Sequence, residues 1–221
     1  PDGSSPRPWD ASMAHPLRLC YITDRHALEP KLLLPKIQEA IRAGIDLVQI
    51  REKDLPTRDL AQLVSAALAA SRGQEAATRI VVNDRLDVAL ALAADGVHLG
   101  TQSLPASVAR RVVPENFLVG VSCHSLEEAL EAQSAGADYI VLGPVFETPS
   151  KTAFGLPLGL DKLREVTARL NLPVLALGGI TVERVRPCLE AGAAGIAGIR
   201  IFQDCDSLEQ RVRELRAQRE R

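Results

Sequence analysis

The segment Ala135-Gly-Ala-Asp-Tyr-Ile-Val-Leu142 decides the fold, because a helix end, a turn and a buried strand follow one another within it. Gly136 suits the position just past a helix, where the backbone turns left-handed. The run after it, residues 139–142, is apolar throughout, which is typical of a strand buried on both faces. Upstream, residues 126–134 carry apolar side chains at i, i+3 and i+4 with glutamates between them, which predicts an amphipathic helix.

The same unit recurs along the chain. Ala43-Gly44 and Ala191-Gly192 repeat the helix end, and helical patterns also cover residues 32–43 and 59–70. Buried strands are predicted at residues 19–23, 47–51, 80–83, 96–99, 118–122, 139–142, 174–178 and 196–201. Strands that alternate with helices predict right-handed parallel crossovers, and we expect them to close into a single α/β domain, a (β/α)8 TIM barrel. A doubly wound open sheet is the rival fold, but no G-x-G-x-x-G turn follows the first strand.

Composition limits the class of protein. With 221 residues, 46% of them hydrophobic, the chain can form one large domain. Residues 1–16 are rich in Pro, Ser and Asp and predict a disordered leader, so the barrel would span 17–221. A net charge of −2 without a basic stripe argues against nucleic acid, and no apolar run is long enough for a membrane helix. Four cysteines without C-x-x-C spacing predict reduced thiols and a cytoplasmic protein. A homo-oligomer is also possible.

The second predicted strand carries unusual polar residues. Residues 48–54 read Val-Gln-Ile-Arg-Glu-Lys-Asp, so Gln49, Arg51 and Lys53 would lie on one side of the strand over roughly 13 Å. An amide followed by two cations suits a ligand with a polar ring at one end and a polyphosphate at the other. The alternative is a structural ion-pair layer between these cations and the acidic residues that alternate with them.

Polar residues also stand where the other predicted strands end, the face on which barrel enzymes have their active sites. They are Asn83-Asp84, Ser122 with His124, Thr148 with Ser150 and Lys151, Gly178-Gly179, and Gly198 with Arg200. Each has a simpler interpretation. Asn83-Asp84 could cap the following helix, His124 could be a loop residue before the capping box of Ser125 and Glu128, and Gly178-Gly179 could form only a turn.

Together, these residues predict coherent chemistry. Arg51, Lys53 and Lys151 would face a polyanion, and Asp84 would bind a divalent metal. Mg²⁺ typically binds to one or two carboxylates together with phosphate oxygens of the substrate. The backbone at Gly178-Gly179 would bind a second phosphate. Two anion sites indicate a condensation of two substrates with pyrophosphate as the leaving group.

The chain resembles the thiamine-phosphate synthase family, in the superfamily that also contains the thiazole tautomerase TenI. The resemblance runs in unbroken order from about residue 17 to 203. Its matching segments are Tyr21-Ile-Thr-Asp-Arg25, residues 48–54, Val82-Asn-Asp-Arg-Leu-Asp-Val-Ala-Leu90, Ala94-Asp-Gly-Val-His-Leu-Gly100, Gly120-Val-Ser-Cys-His-Ser125, Gly136-Ala-Asp-Tyr-Ile140, residues 143–151, Ala176-Leu-Gly-Gly-Ile180 and Ala191-Gly-Ala-Ala-Gly-Ile196.

The resemblance implies an enzyme that joins 4-amino-2-methyl-5-hydroxymethylpyrimidine diphosphate to thiazole phosphate and releases pyrophosphate. It implies a dissociative mechanism, in which a stabilised pyrimidine methyl cation is captured by the thiazole nitrogen. By position, Gln49 and Asn83 would contact the pyrimidine, and Asp84 would bind Mg²⁺. The other implied assignments are Arg51, Lys53, Lys151 and Ser122 at the diphosphate, Thr148 and Ser150 at the thiazole, and Gly179, Ile199 and Arg200 at its phosphate.

Two positions depart from the family pattern. Gly100-Thr-Gln-Ser-Leu104 has Ser103 where the family has a second Mg²⁺-binding Asp, and Arg200 stands where the synthase commonly has Ser. The segment from His124 to Glu128 is instead similar to the tautomerase branch, in which a His moves protons without a metal. A tautomerase that uses His124 and a non-catalytic barrel that binds thiamine precursors therefore remain alternatives.

Overall fold

A computed structural model describes residues 17–28, 32–73, 78–148 and 156–220, without the side chain of Glu220. The strands form a closed parallel barrel in the order β1 to β8, and each strand pairs with the next along the chain. They are β1 Arg18–Ile22, β2 Leu47–Ile50, β3 Arg79–Asn83, β4 Gly96–Leu99, β5 Leu118–Cys123, β6 Tyr139–Leu142, β7 Val174–Leu177 and β8 Gly195–Gly198. The predicted (β/α)8 barrel is therefore confirmed. The predicted leader, residues 1–16, lies outside the described residues.

Helices surround the barrel. Those within the described residues are α1 Leu33–Arg42, α2 Thr57–Arg72, α3 Leu86–Ala91, α4 Ala106–Arg110, α5 Leu126–Ser134, α6 Gly159–Arg169, α7 Val182–Glu190, α8 Arg200–Gln203 and α9 Leu208–Glu220, and a 3-10 turn lies at Arg25–Ala27. Within the described ranges, no helix combines the length and the apolar composition that a membrane span needs.

Several strand ends differ from the prediction by one residue, and the ends of β2 and β8 differ in ways that affect the candidate site. The eighth strand stops at Gly198, and Ile201 belongs to helix α8, so the predicted strand over 196–201 is wrong at its end. The second strand stops at Ile50 because the Arg51 amide donates to the Thr23 side chain (2.9 Å) instead of a ladder partner. Gln49, Arg51 and Lys53 thus do not lie on one continuous strand, and Lys53 lies in a turn beyond it.

The interior of the barrel is filled mainly by apolar side chains from alternate strand positions: Cys20, Ile22, Leu47, Val81, Leu118, Tyr139, Val141, Leu175 and Ala197. Tyr139 is fully buried there. Gly120 makes room for it, since a Cβ at this position would come within 2.1 Å of the Tyr139 ring. Larger apolar clusters fill the space between the sheet and the helices, so the rim that carries the polar side chains rests on a packed core.

A repeated connection closes the opposite, N-terminal end of the barrel. Before each even-numbered strand a residue adopts positive φ, namely Gly44, Ala93, Gly136 and Gly192. Before β2, β4 and β6 an aspartate follows two residues later and accepts the amide of the preceding strand, at 2.7 Å for Asp46 from Leu19, 2.7 Å for Asp95 from Ile80 and 2.8 Å for Asp138 from Val119. Before β8 the corresponding residue is Ala194, which has no side-chain acceptor.

Candidate active site

Gln49 provides an unsatisfied polar group at the rim of the barrel. It lies two positions beyond the inward-facing Leu47 on β2, and strand geometry therefore directs it to the barrel interior. Gln49 is 1% exposed, and its Nε2 is buried without a hydrogen-bond partner among the residues that the structure describes. Buried amides in folded proteins nearly always have partners, so an unpaired one marks a place where a ligand could bind.

The residues after β2 alternate in their contacts. Glu52 and Asp54 form ion pairs with Arg25, and Asp54 also contacts His26. Arg51 is half-buried and Lys53 is exposed, and neither forms an ion pair with any described residue. The described residues therefore contain no ion-pair layer in which Arg51 and Lys53 are neutralised, and both cations are available to an anionic ligand.

Asn83 is the last residue of β3 and Asp84 follows it directly, and neither side chain caps the next helix. The N-cap of α3 is Arg85, and none of the described side chains forms a cap hydrogen bond there. Asp84 is exposed and has a φ of 65°, a left-handed conformation that is uncommon for residues other than glycine. Its backbone is held by hydrogen bonds from its amide to the His98 carbonyl (2.8 Å) and from the Leu86 amide to its own carbonyl (3.0 Å). Such enforced conformations concentrate at functional sites.

The metal-binding capacity of this rim is small. Ser103 Oγ accepts the Gly100 amide at 2.7 Å, so the hydroxyl takes part in a loop hydrogen bond. In the described part of the chain, no three His, Cys, Asp or Glu side chains are grouped to hold a metal ion. The residues fit a cation that takes the Asp84 carboxylate and draws its other ligands from substrate oxygens and water, which is how Mg²⁺ commonly binds.

Ser122 on β5 belongs to a buried polar chain that the sequence interpretation missed. Its Oγ lies 2.8 Å from His98 Nε2, and His98 Nδ1 lies 3.1 Å from the Tyr139 hydroxyl. Burial raises the pKa of Tyr139 well above its usual value, so the residue remains a neutral phenol. The sequence contained a signal for His98, which is the polar residue of the predicted buried strand 96–99. A histidine in such a strand needs polar partners, and His98 is indeed 1% exposed.

His124 lies just beyond β5 and interacts with the start of helix α5. Ser125 is the N-cap and accepts the Glu128 amide at 3.1 Å, as the capping box predicts. Glu128 Oε2 accepts the His124 amide (2.6 Å) and lies 3.3 Å from His124 Nδ1. His124 is therefore both a loop residue and the partner of a carboxylate, an arrangement that also suits an acid–base histidine.

The ends of β6 and β7 are packed closely together. The amides of Val145 and Phe146 donate to the carbonyls of Leu177 (2.7 Å) and Gly178 (3.1 Å). Gly179 has a φ of 60°, and a Cβ there would lie 2.4 Å from the Glu147 carbonyl oxygen. The turn and the close packing both require this glycine. Thr148 is the last described residue before the gap at 149–155, and the predicted site residues Ser150 and Lys151 lie outside the described residues.

The backbone at Gly179 is also held by an arginine that the sequence interpretation missed. Arg184 Nη1 donates to the Gly179 carbonyl at 2.7 Å, and the guanidinium lies 4.7 Å from the centre of the Phe146 ring. The backbone amide of Gly179 has no hydrogen-bond partner within the described ranges, so it can donate a hydrogen bond to an anion. On the neighbouring strand end, Ile199 is the N-cap of α8 and Arg200 is its exposed first residue.

Comparison with known proteins identifies the family. The family model described as thiamine monophosphate synthase matches residues 19–202. The chain belongs to this family. The thiamine-phosphate synthase of Roseiflexus sp. (strain RS-1) is 41% identical over 196 residues, covering 89% of this chain and 82% of that protein. The thiamine-phosphate synthase of Clostridium novyi (strain NT) is 38% identical over 196 residues, covering 87% of this chain and 93% of that protein. A solved structure, thiamine phosphate pyrophosphorylase from Pyrococcus furiosus, has a TM-score of 0.81 at 37% identity, covering 93% of this chain and 96% of that chain.

Membership of the thiamine monophosphate synthase family confirms the resemblance predicted from the sequence motifs. It also confirms the prediction of an enzyme, a transferase of thiamine biosynthesis built on a TIM barrel. The roles of individual residues in this member of the family stay predictions.

Proposed function

We propose that the protein condenses 4-amino-2-methyl-5-hydroxymethylpyrimidine diphosphate with thiazole phosphate to form thiamine phosphate and pyrophosphate. The observation that carries the proposal is the combination at the end of β2. The buried side-chain amide of Gln49 has no partner in the described part of the chain, and it is followed by two cations, Arg51 and Lys53, that no described carboxylate neutralises. This order of groups suits a heteroaromatic ring that carries a diphosphate.

The chemistry requires that negative charge be stabilised on the leaving group. As the C–O bond of the pyrimidine substrate ionises, charge develops on the departing pyrophosphate, and fixed cations lower the barrier by stabilising it. Arg51, Lys53 and Lys151 supply those cations in this proposal, and the Ser122 hydroxyl contacts the same diphosphate. Gln49 and Asn83 hold the pyrimidine in place. The thiazole nitrogen then captures the resulting methyl cation, so no strong base is needed.

Mg²⁺ is the proposed cofactor. When bound, it supplies further positive charge to the leaving diphosphate. Asp84 is the protein ligand, and the exposed carboxylate on its enforced backbone supports this role. Ser103 offers a hydroxyl in place of a second carboxylate. We therefore expect the protein without bound diphosphate to bind Mg²⁺ more weakly than a protein with two carboxylates at this site would.

The second substrate is assigned to the opposite side of the rim. Thr148 and Ser150 would contact the thiazole, and Gly179, Ile199 and Arg200 would bind its phosphate. The Gly179 amide, which has no partner among the described residues, supports the phosphate assignment. Arg200 would add a guanidinium, a group that binds phosphate with two hydrogen bonds.

We also propose a cytoplasmic location, which the four free cysteines support. Assembly into a homo-oligomer remains a prediction.

The decisive experiment is a pyrophosphate-release assay with both substrates and Mg²⁺. The proposal expects release that requires both substrates and stops when EDTA removes the metal. Thermal stabilisation by the substrates without any pyrophosphate release would contradict the proposal and favour the non-catalytic barrel.

A second candidate, isomerisation of a thiazole carboxylate phosphate, has one observation in its favour. His124 is paired with Glu128, and a carboxylate partner suits a histidine that moves protons. Under this alternative, His124→Ala abolishes isomerisation and leaves condensation largely intact. A His124→Ala variant that loses condensation alone would count against the tautomerase alternative.

A further inference from the structure

The acidic residues that alternate with the β2 cations are both held by the loop after β1. Arg25 donates to Asp54 with both terminal nitrogens, at 2.5 and 2.6 Å, and His26 Nε2 lies 3.0 Å from the same carboxylate. Glu52 Oε2 accepts the Arg25 amide at 3.1 Å and lies 3.5 Å from Arg25 Nη1. One residue therefore contacts both carboxylates.

The Glu52 side chain is also fixed by the end of β1. It is buried, and its Oε1 accepts the Thr23 hydroxyl at 2.6 Å, while Thr23 Oγ1 accepts the Arg51 amide at 2.9 Å. We call this set of contacts, formed by Thr23 and Arg25 with Glu52 and Asp54, the β1 brace. It ties the segment from Arg51 to Asp54 to the end of β1 and to the loop that follows it.

The β1 brace has an electrostatic consequence. Carboxylates next to Arg51 and Lys53 in sequence would compete with a diphosphate for those cations and would repel it. The Arg25 guanidinium beside Asp54 holds the pKa of that carboxyl well below its usual range, which shows how strongly the pair favours the anion. With Arg25 in place, each carboxylate instead has a cationic partner on the far side of the loop.

We propose that Arg25 is a positioning residue for diphosphate binding, because it withdraws Glu52 and Asp54 from the cations on either side of them. The inference rests on the proposed function, in which Arg51 and Lys53 bind the diphosphate of the first substrate. Arg25 does not touch the substrate in this assignment. It keeps the carboxylates of Glu52 and Asp54 from occupying the site that is proposed to bind the diphosphate.

The test measures the affinity for inorganic pyrophosphate, with Mg²⁺ present, by isothermal titration calorimetry. Arg25→Ala releases Asp54 and is expected to weaken binding by about tenfold or more. Glu52 keeps its hydrogen bonds from the Thr23 hydroxyl and from the backbone amide of residue 25 in this variant, so Asp54 is the carboxylate that is released. Arg25→Ala combined with Asp54→Asn removes that released charge and is expected to bind within about threefold of wild type. Arg213→Ala, which breaks the exposed Arg213–Glu209 pair on α9, is the matched control and leaves the affinity unchanged.

This double variant separates charge from structure. A brace that only stiffened the loop would leave the double variant as weak as Arg25→Ala, or weaker, and that result would overturn the proposal. Equal affinities of wild type and Arg25→Ala would also overturn it, as would a wild-type protein that binds no pyrophosphate. In steady-state assays, the KM for the pyrimidine diphosphate is expected to rise in Arg25→Ala while the KM for the thiazole phosphate stays the same.

Thermal melts check that each variant is folded, and Arg25→Gln serves in place of Arg25→Ala if the latter does not fold. The proposed function fails separately from this inference. Wild-type protein that binds pyrophosphate but releases none from the paired substrates contradicts the proposed function alone.

Discussion

Lys53 shows how a single residue can be available for binding although acidic neighbours flank it. Glu52 and Asp54 are directed to Arg25, so the ammonium group forms no ion pair within the described residues. Lys53 lies in a turn beyond the end of β2, where its long side chain can reach a ligand above the rim. Its contribution should therefore depend on charge and not on packing.

Lys53→Ala tests that contribution. We expect kcat/KM for pyrophosphate release to fall at least about 100-fold, or ~2.7 kcal/mol, because the charge on the leaving group loses a fixed counter-charge. Lys162→Ala, at a partly exposed lysine that is paired with Glu165 away from the rim residues, is the control and should behave as wild type. Turnover of Lys53→Ala at the wild-type rate would remove Lys53 from the diphosphate site.

Ser103→Asp tests the metal site at the neighbouring strand ends. A second carboxylate close to Asp84 should lower the Mg²⁺ concentration that gives half-maximal activity, since Mg²⁺ prefers carboxylate oxygens. Ser103→Ala separates this effect from the loss of the hydrogen bond from the Gly100 amide. The measurement is a Mg²⁺ titration of the initial rate. A Ser103→Asp variant with the same Mg²⁺ requirement as wild type would show that this position does not reach the metal.

At the scale of the element, the connections before the even-numbered strands depend on a left-handed residue. Three of them use glycine, but before β4 the position is Ala93, with a φ of 51°. An alanine pays a steric penalty in this conformation that glycine avoids. The aspartate that follows is retained at Asp95, so the connection has the same hydrogen bond in spite of the strained residue.

Ala93→Gly should therefore stabilise the protein. The expected gain is about 0.5–1 kcal/mol, the relief of left-handed strain minus the added entropy of glycine in the unfolded chain. Ala135→Gly is the control, because Ala135 has a φ of −78° and gains nothing from the change. Urea denaturation measures both. A lower free energy of unfolding for Ala93→Gly would contradict the strain argument.

Strands that are bounded by turn residues on both sides could be predicted from the sequence. The strands 96–99 and 139–142 match the structure residue for residue, because turn residues bracket each apolar run. The end of β8 could not be predicted, since Ile199 and Ile201 are as apolar in a helix as in a strand. The ladder ends where Gly198 pairs with Tyr21, which is a tertiary fact.

The candidate site divides in the same way. Gln49, Arg51 and Asp84 stand next to strands and could be found by their position. Arg25 and His98 could not be assigned roles from local sequence, because their partners are distant along the chain. Arg25 contacts residues 27 and 29 positions away, and His98 contacts residues 24 and 41 positions away. Only the closed barrel brings these groups together.

At the scale of the whole molecule, the barrel shields most of its thiols. Cys20, Cys123 and Cys188 are buried, and Cys205 is half-buried. Burial raises the pKa of Cys123 to about 12 and that of Cys188 to about 11, so neither forms the reactive thiolate near neutral pH. Burial raises the pKa of Cys20 as well.

A thiol titration checks this shielding. At pH 8 we expect the native protein to react with DTNB at no more than one thiol, Cys205, and the protein unfolded in guanidinium to react at all four. Cys205→Ser is the control and should remove the fast reaction of the native protein. Rapid reaction of two or more thiols in the native state would show that the barrel opens readily.

Ala194 makes the β7–β8 seam different from the three other seams at which an odd-numbered strand is followed by an even-numbered one. At the seams β1–β2, β3–β4 and β5–β6 an aspartate side chain ties the base of one strand to its neighbour, whereas at β7–β8 the methyl group of Ala194 cannot. Local opening begins where the fewest hydrogen bonds must be broken. Amide deuteration should therefore advance earlier along the base of β7 and β8 than along the bases of the three strand pairs that an aspartate ties together.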